Sequence, residues 1–202
     1  MVDPDLAIVK PEFLEGRIVR LDPLRADHVD QLCHVGLNPS LWQVTATRLS
    51  SREDMIAYIA SALRQQSEGT CLPFAIFHKA DGQYVGSTRL ANMDRQNRRA
   101  EIGWSWVAPR WQRTAVNTEC KYLLLCHAFE TLRCVRVELK TDALNQRSRK
   151  ALLRIGAKEE GTLRSHMIVH GGRVRDTVYF SIIEQEWADV KRALEARLDR
   201  TD

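Results

Sequence analysis

The residues with the most chemical content lie between 101 and 119. There Val107-Ala108-Pro109-Arg110-Trp111-Gln112-Arg113-Thr114-Ala115-Val116-Asn117-Thr118-Glu119 runs from an apolar, aromatic strand through a short polar turn into a strongly apolar helix. The first amides of a helix have no partner inside it, so several N–H groups and the positive end of the helix dipole are aimed at one place. Such a place suits phosphate. Glu101 opens the strand before the turn, where its carboxylate serves either as a water-mediated base or as a partner of Arg95, Arg98 or Arg99. Asn145 and Ser148 stand three residues apart at a predicted helix start, so both can face one cleft. Asn145 is equally a good N-cap in its own right.

Nucleophile and metal chemistry find little support. The cysteines, Cys33, Cys71, Cys120, Cys126 and Cys134, include no Cys-x-x-Cys pair, and an odd, scattered set reads as reduced, mostly buried thiols. Cys33-His34 and Cys126-His127 have the composition of a nucleophile and base, but both pairs fall in predicted helices, where adjacent side chains point about 100° apart. No grouping of His, Cys and carboxylates has metal-ligand spacing, so no metal is expected. Trp42 and Trp111 read as packing residues, and His166 and His170 as exposed histidines near a late hairpin.

The elements that must position these groups follow from periodicity. Residues 17–21 alternate as a first strand, 25–37 carry helical spacing, and 38–49 are irregular. Ser51-x-x-Asp54 starts a second helix, which Gly69 closes. Residues 72–77 and 84–90 flank the turn signal Ala80-Asp81-Gly82 as a hairpin, and 92–99 read as a polar loop. In the next strand, 100–107, alternation sets Ile102, Trp104 and Trp106 on one face and Glu101, Gly103, Ser105 and Val107 on the other. A helix over 118–132, a strand over 134–140, a helix over 145–156, strands over 160–169 and 174–183, and an amphipathic helix over 184–198 complete the order. That mixture is α/β or α+β, with a mixed sheet around one core.

Bulk properties agree. A chain of 202 residues predicts a single domain, 1–202, with its core over about 16–198 and a short N-terminal extension. The formal charge of +4 argues only weakly for anionic partners, and without an arginine-rich block, zinc-finger spacing or heptads no nucleic-acid partner is expected. No apolar run reaches bilayer length, and Met1-Val2-Asp3-Pro4-Asp5 has no signal-peptide character, so no membrane partner and a cytoplasmic location are expected.

The turn is similar to the acyl-CoA loop of the GCN5-related N-acetyltransferases (GNAT), Arg/Gln-x-x-Gly-x-Gly/Ala. Counting from Arg110, Arg113 stands where Gly is usual and Ala115 where Gly or Ala is usual. Residues 138–157, Glu160-Gly161-Thr162-Leu163-Arg164 and Arg175-Asp176-Thr177-Val178-Tyr179-Phe180-Ser181 resemble the RimJ/RimL-like branch. By element order the resemblance spans about residues 16–198. It implies a mixed, mostly antiparallel sheet, flanked by helices, with a central parallel pair of strands that splays to admit the pantetheine arm of acetyl-CoA.

The resemblance also assigns roles. Trp106 and Val107 would lie beside the arm, with an N–H near Val107 donating to the thioester carbonyl. The amides of Arg113, Thr114, Ala115, Val116 and Asn117 would hold the pyrophosphate. Asn145 would bind the pantetheine amide region, Ser148 would supply a proton near the sulfur, and Glu101 would act as base. Because an amine attacks a thioester directly, no enzyme nucleophile is required. The implied acceptor is a primary amine: a protein or peptide N-terminal α-amine first, a small-molecule amine second. An α-amine, with its pKa near about 8, needs little base catalysis. Arg113 must point outward, where it either adds charge for phosphate or obstructs the cradle. That departure, with the absence of a tyrosine after Asn145, leaves a non-catalytic acyl-CoA sensor as the alternative. Exposed sheet edges and the terminal helix would permit a homodimer.

Overall fold

The computed structural model describes residues 12–201. Eight strands form one sheet in the order β1-β2-β3-β4-β5-β6-β8-β7: β1 (Leu14–Glu15), β2 (Val19–Pro23), β3 (Leu72–His78), β4 (Gln83–Asp94), β5 (Arg99–Val107), β6 (Arg136–Asp142), β7 (Lys158–Ile168) and β8 (Val174–Ile183). Every neighbouring pair is antiparallel except β5 and β6. This is the mostly antiparallel α/β sheet, with one central parallel pair, that the resemblance implied.

Helices cover both faces. α1 (Val29–Gly36) and α2 (Arg52–Ser67) lie on one side, where Leu32, Met55, Tyr58 and Ile59 meet Trp106. α3 (Val116–Cys126), α4 (Gln146–Arg154) and α5 (Glu184–Leu198) contribute Val116, Leu124, Leu152, Trp187 and Leu194 to the core on the other. α2 begins where its sequence signature placed it: Ser51 caps the Asp54 amide, and the Asp54 carboxylate returns to the Ser51 amide.

Three expectations need correction. First, β4 continues through Asn92 to Asp94, which leaves only a short turn before β5. Asn92 and Arg98 take φ of 49° and 48°, and Asp94 accepts the Asn97 amide, so polar residues form a twisted strand end in place of a loop. Second, the alternation along β5 breaks. Trp104 has φ of 49° within an irregular stretch of the β4–β5 ladder, and this β-bulge changes the phase. Ala100, Ile102 and Val107 join the core under α3, whereas Trp104 and Trp106 face α1 and α2. Third, the α-helix after the turn ends at Cys126 and closes through a π-turn, His127–Thr131. The cysteines are free, with Cys71, Cys120 and Cys134 buried and Cys33 and Cys126 half-buried.

One buried carboxylate ties the central helix to the sheet's far side. Glu119, in the first turn of α3, accepts the amides of Arg17, Ile18 and Val19 at 2.9, 2.8 and 2.7 Å, at the entrance to β2. A carboxylate near a helix N-terminus is also favoured by the dipole. Glu119→Ala is expected to lower the unfolding free energy by about 3 kcal/mol, because it strands three donors at once. Glu119→Gln, which keeps one carbonyl oxygen, should cost less. Denaturant melts read both, and a loss below about 1 kcal/mol for the alanine variant would mean that water replaces the carboxylate.

Candidate active site

The parallel pairing of β5 with β6 covers only Arg99 with Arg136, Ala100 with Val137 and Glu101 with Glu138. Beyond Glu101 the strands part, and β6 continues against β8 alone as far as Asp142. A wedge-shaped gap therefore opens toward the C-terminal ends of the two strands. Ala108 donates to the Val85 carbonyl at 2.8 Å, so these two form a hydrogen-bonded antiparallel pair. By the alternation of such ladders, the neighbouring Val107–Gly86 pair is the non-bonded kind. The N–H and C=O of Val107 consequently point away from β4, into the gap. Gly86 allows β4 to lie this close, since a Cβ there would sit 2.1 Å from the Trp106 carbonyl oxygen.

The turn beyond β5 is tied down on three sides. The Trp111 indole donates to Asp81 at 2.7 Å, fixing it to the β3–β4 hairpin. Gln112 donates to the Val107 carbonyl at 2.8 Å and accepts from Arg147 of α4 at 2.6 Å, bridging the gap's mouth. Thr114 donates to the Trp111 carbonyl at 2.7 Å. Arg113 has φ of 65°, the conformation that a glycine would adopt, and its side chain is exposed. The amide of Val116 turns back to Thr114 Oγ1 at 3.3 Å, whereas those of Arg113, Thr114, Ala115 and Asn117 have no acceptor among the described residues. Trp42 and Trp111 are buried packing residues; Trp42 lies edge-on to Trp106.

On the gap's other side, Asn145 caps α4 by accepting the Ser148 amide at 3.0 Å. The Ser148 hydroxyl is half-buried, with no partner among the described residues. Asp142 holds this corner: it accepts the Leu144 amide at 2.9 Å and is bound by Arg173, with Arg175 at 3.9 Å. Sequence reasoning missed Asp142, whose importance depends on arginines thirty residues away in the chain.

Glu101 sits where the strands separate and is 3% exposed. It pairs with none of the arginines considered from sequence. Its Oε2 receives Asn92 at 2.8 Å and Lys140 at 2.9 Å. Its Oε1 faces Gly103, where a Cβ would lie 2.9 Å away. Beneath α3, Lys121 is buried and donates to the exposed Ser105 Oγ at 2.6 Å, and that oxygen also meets Thr88 Oγ1 at 2.7 Å. No carboxylate pairs with Lys121 among the described residues, and burial lowers its pKa to about 8. Burial pushes the thiols of Cys71, Cys126 and Cys134 up to about 11, the wrong direction for nucleophiles.

Comparison with known proteins bears on this geometry. The family model described as an acetyltransferase (GNAT) domain matches residues 19–158. A relative from Bacillus subtilis (strain 168), named "Putative ribosomal N-acetyltransferase YdaF", is 37% identical over 111 residues, 55% of this chain and 60% of its own length, so the chain spans somewhat less than two thirds of it. The crystal structure of a GCN5-related N-acetyltransferase from Brucella melitensis superposes with a TM-score of 0.85 at 32% identity, covering 93% of this chain and 85% of that one. Mycobacterium smegmatis RimJ, solved with CoA-disulfide, shares the fold at a TM-score of 0.79 and 24% identity, over 93% and 95% of the two chains.

Lys121 supplies a test of the site's electrostatics. Between its folded pKa of about 8 and the ordinary 10.5, the unfolded chain still holds a proton that the folded chain has released. The site therefore destabilises the fold below about pH 8, and its contribution rises as the pH climbs through that window. Wild type should gain stability relative to Lys121→Met between pH 8 and 10.5, read as the difference in unfolding free energy. A difference that stays flat would mean that the ammonium remains charged and hydrated in the folded protein.

Proposed function

Because the chain belongs to the GNAT acetyltransferase family, we propose that it transfers an acetyl group from acetyl-CoA to a primary amine in a ternary complex. A protein or peptide N-terminal α-amine is the first choice of acceptor, and a small-molecule amine the second. The name of the Bacillus subtilis relative, "Putative ribosomal N-acetyltransferase YdaF", favours a protein acceptor. The observation that carries the reading is the gap itself, with the Val107 amide facing into it and a turn of unpartnered amides at its mouth.

The residues fit such a co-substrate. The amides of Arg113, Thr114, Ala115 and Asn117 offer donors for a pyrophosphate at the positive end of α3, with the exposed guanidinium of Arg113 adding charge. Val116 contributes through the helix dipole, since its own amide is turned to Thr114. Positive φ at Arg113 speaks against a loop that has lost its ligand, because the backbone keeps the glycine conformation despite the side chain. Trp106 anchors the strand on its α1 side, and the Val107 N–H is left to polarise a carbonyl lying along the gap.

The bound thioester supplies an acyl group that an uncharged amine attacks without an enzyme nucleophile. Ser148, at the start of α4, would return a proton to the leaving sulfur, and Asn145, which accepts the Ser148 amide, orients that helix turn. Glu101 keeps Oε1 available to take the amine's proton through water, while Lys140 and Asn92 hold the other oxygen. Proton removal from an α-amine is undemanding at neutral pH, so positioning outweighs base strength here.

Calorimetric titration with acetyl-CoA, with desulfo-CoA and ATP as controls, tests the donor half. One saturable site is expected, weakened about tenfold in Arg113→Glu by charge reversal at the phosphates. Absence of binding would remove the enzyme reading. Ser148→Ala should reduce kcat about 100-fold with the melting temperature and acetyl-CoA affinity preserved. Full turnover in that variant would show that the proton comes from elsewhere.

A further inference from the structure

The face of the sheet opposite α3 holds a second, uncompensated cation. Arg89, on β4, is 2% exposed and has no carboxylate partner among the described residues. Its guanidinium lies 4.4 Å from the centre of the Tyr58 ring and 5.2 Å from that of Trp104. Its polar contacts are the Tyr58 carbonyl at 3.2 Å and the Gln65 side chain at 3.5 Å, and Nε has no partner among the described residues. A buried guanidinium carries five N–H donors and a unit charge that carbonyl and amide oxygens satisfy only in part.

Arg89 lines a cavity of about 350 Å³ between α2 and the bulge of β5, together with Arg48, Asp54, Tyr58, Gln65 and Trp104. Asp54 also lines the cavity and stays ionised, but it forms no ion pair with Arg89, and its Oδ2 is turned to the amides of Ser50 and Ser51 and the Ser50 hydroxyl. Arg48 adds a second positive charge at the exposed side, held against His170 at 2.8 Å. The Trp104 ring is the shared wall: Lys140, the partner of Glu101, lies 5.9 Å from its centre. The cavity thus abuts the point where β5 and β6 separate. The positive φ of Trp104 is what turns the ring to this side.

We infer that this cavity binds a carboxylate of the amine acceptor, with Arg89 as its anchoring donor, so that the enzyme selects acidic acceptors. The inference rests on the acetyl-transfer reading for the word acceptor, but the carboxylate site stands on the cavity alone. Arg89 and Arg48 against Asp54 leave the lining with one net positive charge, which fits a carboxylate better than a dianionic phosphate. The carboxylate belongs either to an acidic side chain near a peptide N-terminus or to the α-carboxylate of a free amino acid.

Binding of capped peptides, which cannot be acetylated, separates this site from turnover. Acetyl-Glu-Gly-amide carries only a side-chain carboxylate, acetyl-Gln without a C-terminal cap only an α-carboxylate, and acetyl-Gln-Gly-amide neither. Calorimetry on wild type should find one or both carboxylates bound at least about tenfold more tightly than the neutral peptide, the worth of a charge-assisted hydrogen bond. Which of the two is preferred identifies the source. Arg89→Met should remove the preference while acetyl-CoA affinity is retained, and Arg89→Lys should keep part of it. A structural role alone would weaken all three ligands together. Equal affinities in wild type, a preference that survives Arg89→Met, or tighter binding of a phosphoserine peptide would each overturn the inference. Carboxylate binding without acetylation of any uncapped counterpart would remove the transfer reading and leave the site standing.

Discussion

The arrangement depends on one failure of pairing. Two parallel strands at the centre of a sheet normally exchange hydrogen bonds along their length, yet β5 and β6 do so for three residue pairs and then separate. Buried backbone groups that lose a strand partner must find another. Here Gln112 takes the Val107 carbonyl, and the Val107 amide is left facing the gap. Gly86 and the β5 bulge keep β4 tight against β5 while this happens, so the split is confined to one side of the strand. A gap with donors on its wall, a helix N-terminus at its mouth and an N-capped helix opposite is a geometric consequence of that split.

Rigid anchoring keeps the gap from collapsing. Trp111 on Asp81, Gln112 on Val107 and Arg147, and Asp142 between Arg173 and Arg175 fix the turn and the α4 corner from separate elements. Glu119 ties α3 to the start of β2, so the helix that points its amides at the mouth is held at its own first turn. The left-handed backbone of Arg113, which costs a non-glycine residue about 1–2 kcal/mol, is sustained by these contacts.

Much of this was legible because it is local. The capping box at Ser51, the Ala80-Asp81-Gly82 hairpin, the alternation of β6 and β8, and the strand-turn-helix at 107–118 each declare themselves within a dozen residues. The β5 bulge did not, because Glu101 to Val107 reads as an unbroken alternation and only the φ of Trp104 reveals the added residue. Glu101 was identified but its partners were not: Lys140 lies on the neighbouring strand, and the nearby arginines that offered themselves in sequence look elsewhere, Arg99 to Asp94 and Arg98 to the Arg133 carbonyl. Arg89 and Lys121 gave no signal at all, since a lone cation in an alternating strand or an amphipathic helix is ordinarily solvated.

Those two cations place the charge in an order that surface composition hides. A net charge of +4 is unremarkable, but Lys121 under α3 and Arg89 under α2 lie on opposite faces of the same pair of strands, each buried and neither paired with a carboxylate among the described residues. Burying an unpaired charge costs several kcal/mol, and a fold that needed only packing would be better served by apolar side chains there. Lys121 relieves the cost by giving up its proton above about pH 8, an escape that a guanidinium does not have. The charge that deprotonation does not relieve is on the α2 side, at Arg89. With Arg113 at the mouth of the gap, positive potential meets an incoming anion from two directions, and low-dielectric walls strengthen it in both. The split in the sheet opens the gap, and these cations set the sign of the potential around it.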